Sequence, residues 1–193
     1  LVDRTGLLWA GTRERAIYKG RLFKHEFNAW PLNENYQQLL SAPAPVLSFH
    51  KDEQGLWLGR ANYIDWQLNG SAKPLRFQTN ARVIAFGRDP NGTLWVGTDI
   101  GLLKQTDPEH FVVDNHWLQL IGPGPQNVRD LLFTNDGTVV LNLWGNGVLL
   151  VKGEQHQHLL SDISQKITGN AVQDIVQIDQ YLYLGTRLSG LYR

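Results

Sequence analysis

An all-β chain of about five consecutive four-stranded units is what this 193-residue sequence predicts. Three observations predict it: a recurring Leu-Trp phrase, its near-constant spacing, and an Asp/Gly turn ahead of it. The phrase reads Gly6-Leu-Leu-Trp9-Ala-Gly11-Thr12, Gly55-Leu-Trp57-Leu-Gly59-Arg60 and Gly92-Thr-Leu-Trp95-Val-Gly97-Thr98, and returns in weaker form at Gly137 to Leu143 and Gln180 to Thr186. Measured on positions 11, 59, 97, 142 and 185, the steps are 48, 38, 45 and 43 residues. A period near 43 is the length of one four-stranded blade of a β-propeller.

Each unit opens on a buried strand, marked by apolar pairs three apart: Val46 and Phe49, Val83 and Phe86, Val128 and Leu131, Val172 and Ile175. A hairpin turn follows, at Asp3 to Gly6, Asp52 to Gly55 and Asp89 to Gly92, with Thr134 to Gly137 as a variant and a shortened Asp179-Gln180 in the last copy. Asp caps its own turn and Gly supplies positive φ, which is hairpin chemistry. The second strand carries the Leu-Trp phrase, with Leu and the residue after Trp on one face and Trp and Gly on the other. Third strands are read at Ala16 to Lys19, Tyr63 to Trp66, Gly101 to Lys104, Gly147 to Leu150 and Gly190 to Tyr192, and fourth strands at Arg21 to Phe27, Pro74 to Thr79, Phe111 to Val113 and His156 to Leu160.

The predicted organisation is therefore one propeller region over 1–193, with blades at 1–30, 44–80, 81–114, 126–161 and 170–193. The first blade lacks its opening strand and the last its closing one, which leaves eighteen strands. That count, the start inside a repeat and the absence of Met predict an open arc cut from a larger ring. A closed five-bladed ring remains the alternative, if the partial blades are completed irregularly.

Composition bounds the function. Lys plus Arg equals Asp plus Glu at 18 each, so no global field recruits nucleic acid or an anionic membrane. No run approaches the roughly 18 apolar residues of a membrane span. The absence of Cys excludes disulfides, thiolate zinc sites and cysteine nucleophiles.

The stretch Asp89-Pro-Asn-Gly-Thr-Leu-Trp-Val-Gly-Thr-Asp-Ile-Gly-Leu-Leu-Lys104, with Asp3 to Thr12, resembles the two-component regulator propeller repeat, and Leu143-Trp-Gly-Asn-Gly147 resembles a turn many copies of that repeat carry. The pattern weakens at Arg60 and Tyr63, at Val140 and Asn142, and in the shortened last turn. The resemblance implies a non-enzymatic, ligand-sensing propeller of a bacterial transmembrane signalling protein. On that reading the region is periplasmic and needs no cofactor. Its partners are a small polar or saccharide-like ligand, the remaining blades of the parent chain and a second copy of the parent sensor.

Trp9, Trp57 and Trp95 share one register and are expected in the core, whereas Trp30, Trp66, Trp117 and Trp144 lie outside it and stay open as ligand contacts. The six His form no metal constellation, although His156 and His158 share a strand face. The turn between the second and third strands is the expected ligand face, because loops on a rigid scaffold carry binding residues. Its candidates are Arg13 and Arg15, Arg60 and Asn62, Asp99, Trp144 and Asn146, and Arg187. A protein-interaction platform is one alternative. A five-bladed propeller glycosidase is another, in which Asp130 and Asp174, at the positions held by Ser48 and Ala85 in earlier blades, would serve as acid and base.

Overall fold

The computed structural model describes residues 7–11, 17–21, 26–29, 45–71, 74–122, 126–159, 172–188 and 190–193. Among them, eighteen strands form five sheets of three, four, four, four and three strands, each a meander in sequence order. The first sheet is β1 (Leu7–Gly11), β2 (Ile17–Arg21) and β3 (Glu26–Ala29); the second is β4 (Ser48–Lys51), β5 (Gly55–Gly59), β6 (Tyr63–Leu68) and β7 (Leu75–Gln78). The third is β8 (Val83–Arg88), β9 (Leu94–Thr98), β10 (Gly101–Asp107) and β11 (His110–Val113), and the fourth is β12 (Val128–Phe133), β13 (Val139–Leu143), β14 (Gly147–Lys152) and β15 (Gln155–Leu159). The last is β16 (Val172–Ile178), β17 (Tyr181–Thr186) and β18 (Leu191–Tyr192). This is the all-β, propeller-type repeat of sheets. The chain divides into two compact units at Val83 and Ile84, each described by itself below.

The turn acids explain why Asp, Gly and Trp recur together. In the first unit Asp52 Oδ1 accepts from the backbone N–H of Gln54 and Gly55, both at 2.9 Å, while Oδ2 accepts from Trp57 Nε1 at 2.8 Å. In the second, Asp89 Oδ1 accepts from Asn91 and Thr93 N–H at 3.0 and 2.9 Å, and Oδ2 from Trp95 Nε1 at 3.0 Å. One carboxylate thus closes the turn and also satisfies the polar tip of a buried indole. In the fourth sheet Val140 replaces the Trp, and Asp136 turns instead to Thr134 and to Lys152 Nζ at 2.6 Å. The shortened last turn places Asp179 at φ 54°, a left-handed conformation that Asp tolerates.

The second strand sorts its residues by face as the period of two requires. In the first unit Leu56 and Leu58 are buried with Leu7, Val46 and Phe49 packed on them. Trp57, from the other face, stacks on Trp66 with ring centroids 4.3 Å apart and planes 8° from parallel. In the second unit Trp95 meets Trp117 edge-on at 6.1 Å and Phe133 at 6.1 Å, inside a core that also holds Leu102, Leu141 and Leu149.

The glycine two residues after Trp57 and after Trp95 leaves room for a backbone carbonyl beside it. A Cβ at Gly97 would come within 2.8 Å of the Val128 carbonyl oxygen, and one at Gly59 within 2.9 Å of the Val83 carbonyl oxygen. Where Asn142 replaces that glycine, its Nδ2 donates to the Val172 carbonyl at 2.9 Å. The contact survives as a hydrogen bond.

One expectation is revised, and one stretch that the blade pattern left unassigned is filled. Trp66 and Trp117, read as open, are each 7% exposed and belong to the aromatic packing around Trp57 and Trp95. The linker after β11 is not all loop: α1 (Asn115–Ile121) is capped by Asp114, which accepts from His116 N–H at 3.0 Å, and buries Trp117 and Ile121. Those two side chains are four apart, so one helical face docks on β10. Asp3, Gly6 and Trp30 lie outside the described residues.

Candidate functional site

The second-to-third-strand turns were the expected ligand face, and in the first unit the described one, after β5, buries its arginine. Arg13 and Arg15 lie outside the described residues. Arg60 is 2% exposed and its Nε donates to Asp65 Oδ2 at 3.0 Å; Asp65, fully buried, is held from the other side by Arg76, whose Nε donates to Oδ1 at 2.7 Å. The Arg76 guanidinium also lies 4.0 Å from the centre of the Tyr63 ring. Beside this cluster Asn62 is exposed, and its backbone carbonyl accepts from Thr79 N–H at 2.9 Å.

The signal that could have found this is positional. Arg60 occupies the slot of Thr98 and Thr186. Thr98 is fully buried, and its hydroxyl donates to the Gly101 carbonyl at 2.7 Å, locking the turn; Thr186 does the same with Gly190 at 2.9 Å. A residue in that slot faces inward, so an arginine there needs an acid.

In the second unit the corresponding turns leave side chains accessible. Asp99 is half-buried just after Thr98, Asn146 is half-buried, and Arg187 is exposed just after Thr186. Trp144 is 37% exposed, and the Arg129 guanidinium lies 4.3 Å from its ring centre. Sequence reasoning missed Arg129. The residue reaches Trp144 because β12 contains a bulge: Val128 opposes Leu143 but Asp130 opposes Asn142, leaving Arg129 as the extra residue.

The same bulge re-aims Asp130. Residues two apart normally share a strand face, yet Val128 and Leu131 pack in the core with Trp95 while Asp130 Oδ2 accepts from Ile175 N–H of the last sheet at 3.2 Å. A matching bulge in β16 lies between Val172 and Asp174. Asp174 is exposed and immediately precedes Ile175, whose N–H the Asp130 carboxylate holds. Burial, with the Asp174 charge adding to it, pushes the Asp130 carboxyl up to about 6 against the lowering effect of the Ile175 and Leu131 N–H bonds. Cross-strand pairing sets Asp130 opposite Asn142, Ser48 opposite Gly59 and Asp174 opposite Gly185, so the two acids do occupy the slot of Ser48.

Residues 78–99 match the family described as Two component regulator propeller, the family the repeat phrase resembles. No curated protein matches the sequence. Among solved structures, the extracellular domain of a protein described as a hybrid two component system from B. thetaiotaomicron superposes with a TM-score of 0.69 at 17% identity, over 96% of this chain and 24% of that one. YCF48 from Cyanidioschyzon merolae gives a TM-score of 0.65 at 17% identity over 96% of this chain and 62% of that one, and a streptogramin B lyase gives 0.67 at 12% over 98% and 66%. At such identities the likeness is one of fold. This chain spans about a quarter of the bacterial extracellular domain.

Proposed function

We propose that this chain, which carries the two component regulator propeller repeat, is part of the extracytoplasmic, ligand-sensing propeller of a bacterial transmembrane signalling protein, and that it acts by binding rather than by catalysis. On this reading the compartment is the periplasm and the ligand is polar and saccharide-like. The observation that carries the binding face is the accessible Trp144 ring with the Arg129 guanidinium stacked at 4.3 Å. Every other tryptophan with a described side chain is buried in packing, whereas this one leaves an aromatic surface and a cation at a turn. Aromatic faces suit the apolar face of a sugar ring, and a guanidinium suits hydroxyl or carboxylate groups beside it. Asn146, Asp99 and Arg187 add polar groups at the equivalent ends of their sheets.

Geometry also weighs against the glycosidase reading. Asp130 commits one carboxyl oxygen to the Leu131 N–H and the other to the Ile175 N–H, a structural engagement that ties β12 to β16.

The test is binding of a panel of neutral and acidic oligosaccharides to the chain and to Trp144→Ala and Arg187→Ala. Saturable binding by at least one saccharide, weakened in both variants at unchanged melting temperature, supports the reading. No binding across the panel, or binding indifferent to both changes, overturns it.

A further inference from the structure

The junction of the fourth and fifth sheets departs from the repeat at three positions at once. Asp130 and Asp174 stand where the second and third sheets have Ser48 and Ala85, and Asn142 stands where Gly59, Gly97 and Gly185 keep the repeat's glycine. All three meet in one seam. Asp130, paired directly with Asn142, reaches β16 through Ile175 N–H; Asn142 reaches it through the Val172 carbonyl; and Asp174 is the residue beside Ile175.

The seam has an excess of oxygen. Asn142 is 1% exposed, and with Nδ2 committed to Val172 its Oδ1 is buried with no hydrogen-bond partner. Amide oxygen and nitrogen share one carbon, so Oδ1 lies in the same seam. A buried carbonyl left unpaired is costly and calls for an electropositive neighbour. Among the described residues neither Asp130 nor Asp174 makes an ion pair, and the nearby Arg129 guanidinium is engaged over Trp144. Each Asp130 oxygen accepts one backbone N–H, from Leu131 or Ile175, which leaves each a second lone pair.

We propose that this seam binds a hard divalent cation, calcium, ligated by the Asp130 and Asp174 carboxylates and Asn142 Oδ1 with water completing the shell. Two carboxylates and one amide carbonyl are a hard, all-oxygen set, and calcium tolerates the irregular geometry of a site spread over three strands better than magnesium does. Few protein ligands and two negative charges place the affinity on the order of 0.1–1 mM, as in extracellular calcium modules. A bound ion would cross-link the first strands of two adjacent sheets.

The experiment is calorimetric titration of calcium chloride into the chelator-treated chain, repeated with Asp174→Asn, Asn142→Gly and, as a control, Asp136→Asn. Asp174 is exposed, and Asn142→Gly restores the residue that three other sheets carry, so both variants retain the fold. The expected result is one saturable site, weakened about tenfold or more in both seam variants and unchanged in Asp136→Asn, with calcium raising the melting temperature of the unmodified chain and of Asp136→Asn but not of the seam variants. Absence of saturable binding up to about 10 mM, equal binding by all variants, or Asp130 and Asp174 carboxyl resonances that do not respond to calcium would overturn the proposal.

Discussion

Trp95 Nε1 donates to Asp89 Oδ2 at 3.0 Å, and the same carboxylate accepts two backbone N–H groups of its own turn. Asp52 and Trp57 repeat the arrangement. The Asp-x-x-Gly turn and the Leu-Trp pair that follows it are therefore one physical unit: the acid shapes the hairpin, and the turn delivers the indole to the core with its N–H already paired.

Trp95→Ala should lower unfolding free energy by about 3–5 kcal/mol, the usual cost of deleting a buried large aromatic. Trp144→Ala, from a ring 37% exposed, should cost far less. Urea denaturation of the two variants checks this, and equal losses would mean that Trp144 is core.

Asp89 carries a pH signature. Burial opposes its ionisation, but the hydrogen bonds from Trp95, Thr93 and Asn91 outweigh it and hold the carboxyl below the ordinary 3.8. The unfolded chain therefore takes up this proton first, so the contribution is complete above 3.8 and is lost as pH falls through the folded value. Urea midpoints measured from pH 6 downwards should decline less steeply below about pH 4 for Asp89→Asn than for the unmodified chain.

Gly97→Ala should cost about 1–3 kcal/mol through overpacking, because the new methyl would lie 2.8 Å from the Val128 carbonyl oxygen. Gly185→Ala is the matched comparison: its nearest neighbour would be 3.9 Å away, and thermal unfolding should barely change.

Arg60→Ala should destabilise by about 2–3 kcal/mol, the worth of a charged hydrogen bond, since it strips one partner from the fully buried Asp65. Arg187→Ala, at an exposed turn, should leave the melting temperature unchanged. Side-by-side calorimetric scans separate the two arginines.

The sheets were legible because phrase and turn chemistry repeat: four glycines and one asparagine at a near-constant step mark five units and place the strands within them. What repetition cannot reveal is whatever departs from it. The helix Asn115–Ile121 sits between repeats and has no second copy for comparison. Arg60 read as a ligand-facing turn residue, because its inward slot becomes plain only when Thr98 is seen locking its turn. The bulge at Arg129 shifts pairing by one residue without a glycine to announce it, so its stacking on Trp144 and the turn of Asp130 towards β16 required coordinates.

The most direct measurement of the binding face is amide hydrogen exchange across the second unit with and without a bound saccharide. Strand β9 is five residues long, so its two ends lie about 17 Å apart and report separately. The account predicts protection at Thr98 to Gly101, Trp144 to Gly147 and Arg187 to Gly190, with the Asp89 to Thr93 and Thr134 to Thr138 turns unaffected. Protection confined to those Asp/Gly turns, with the Trp144 end unchanged, would contradict it.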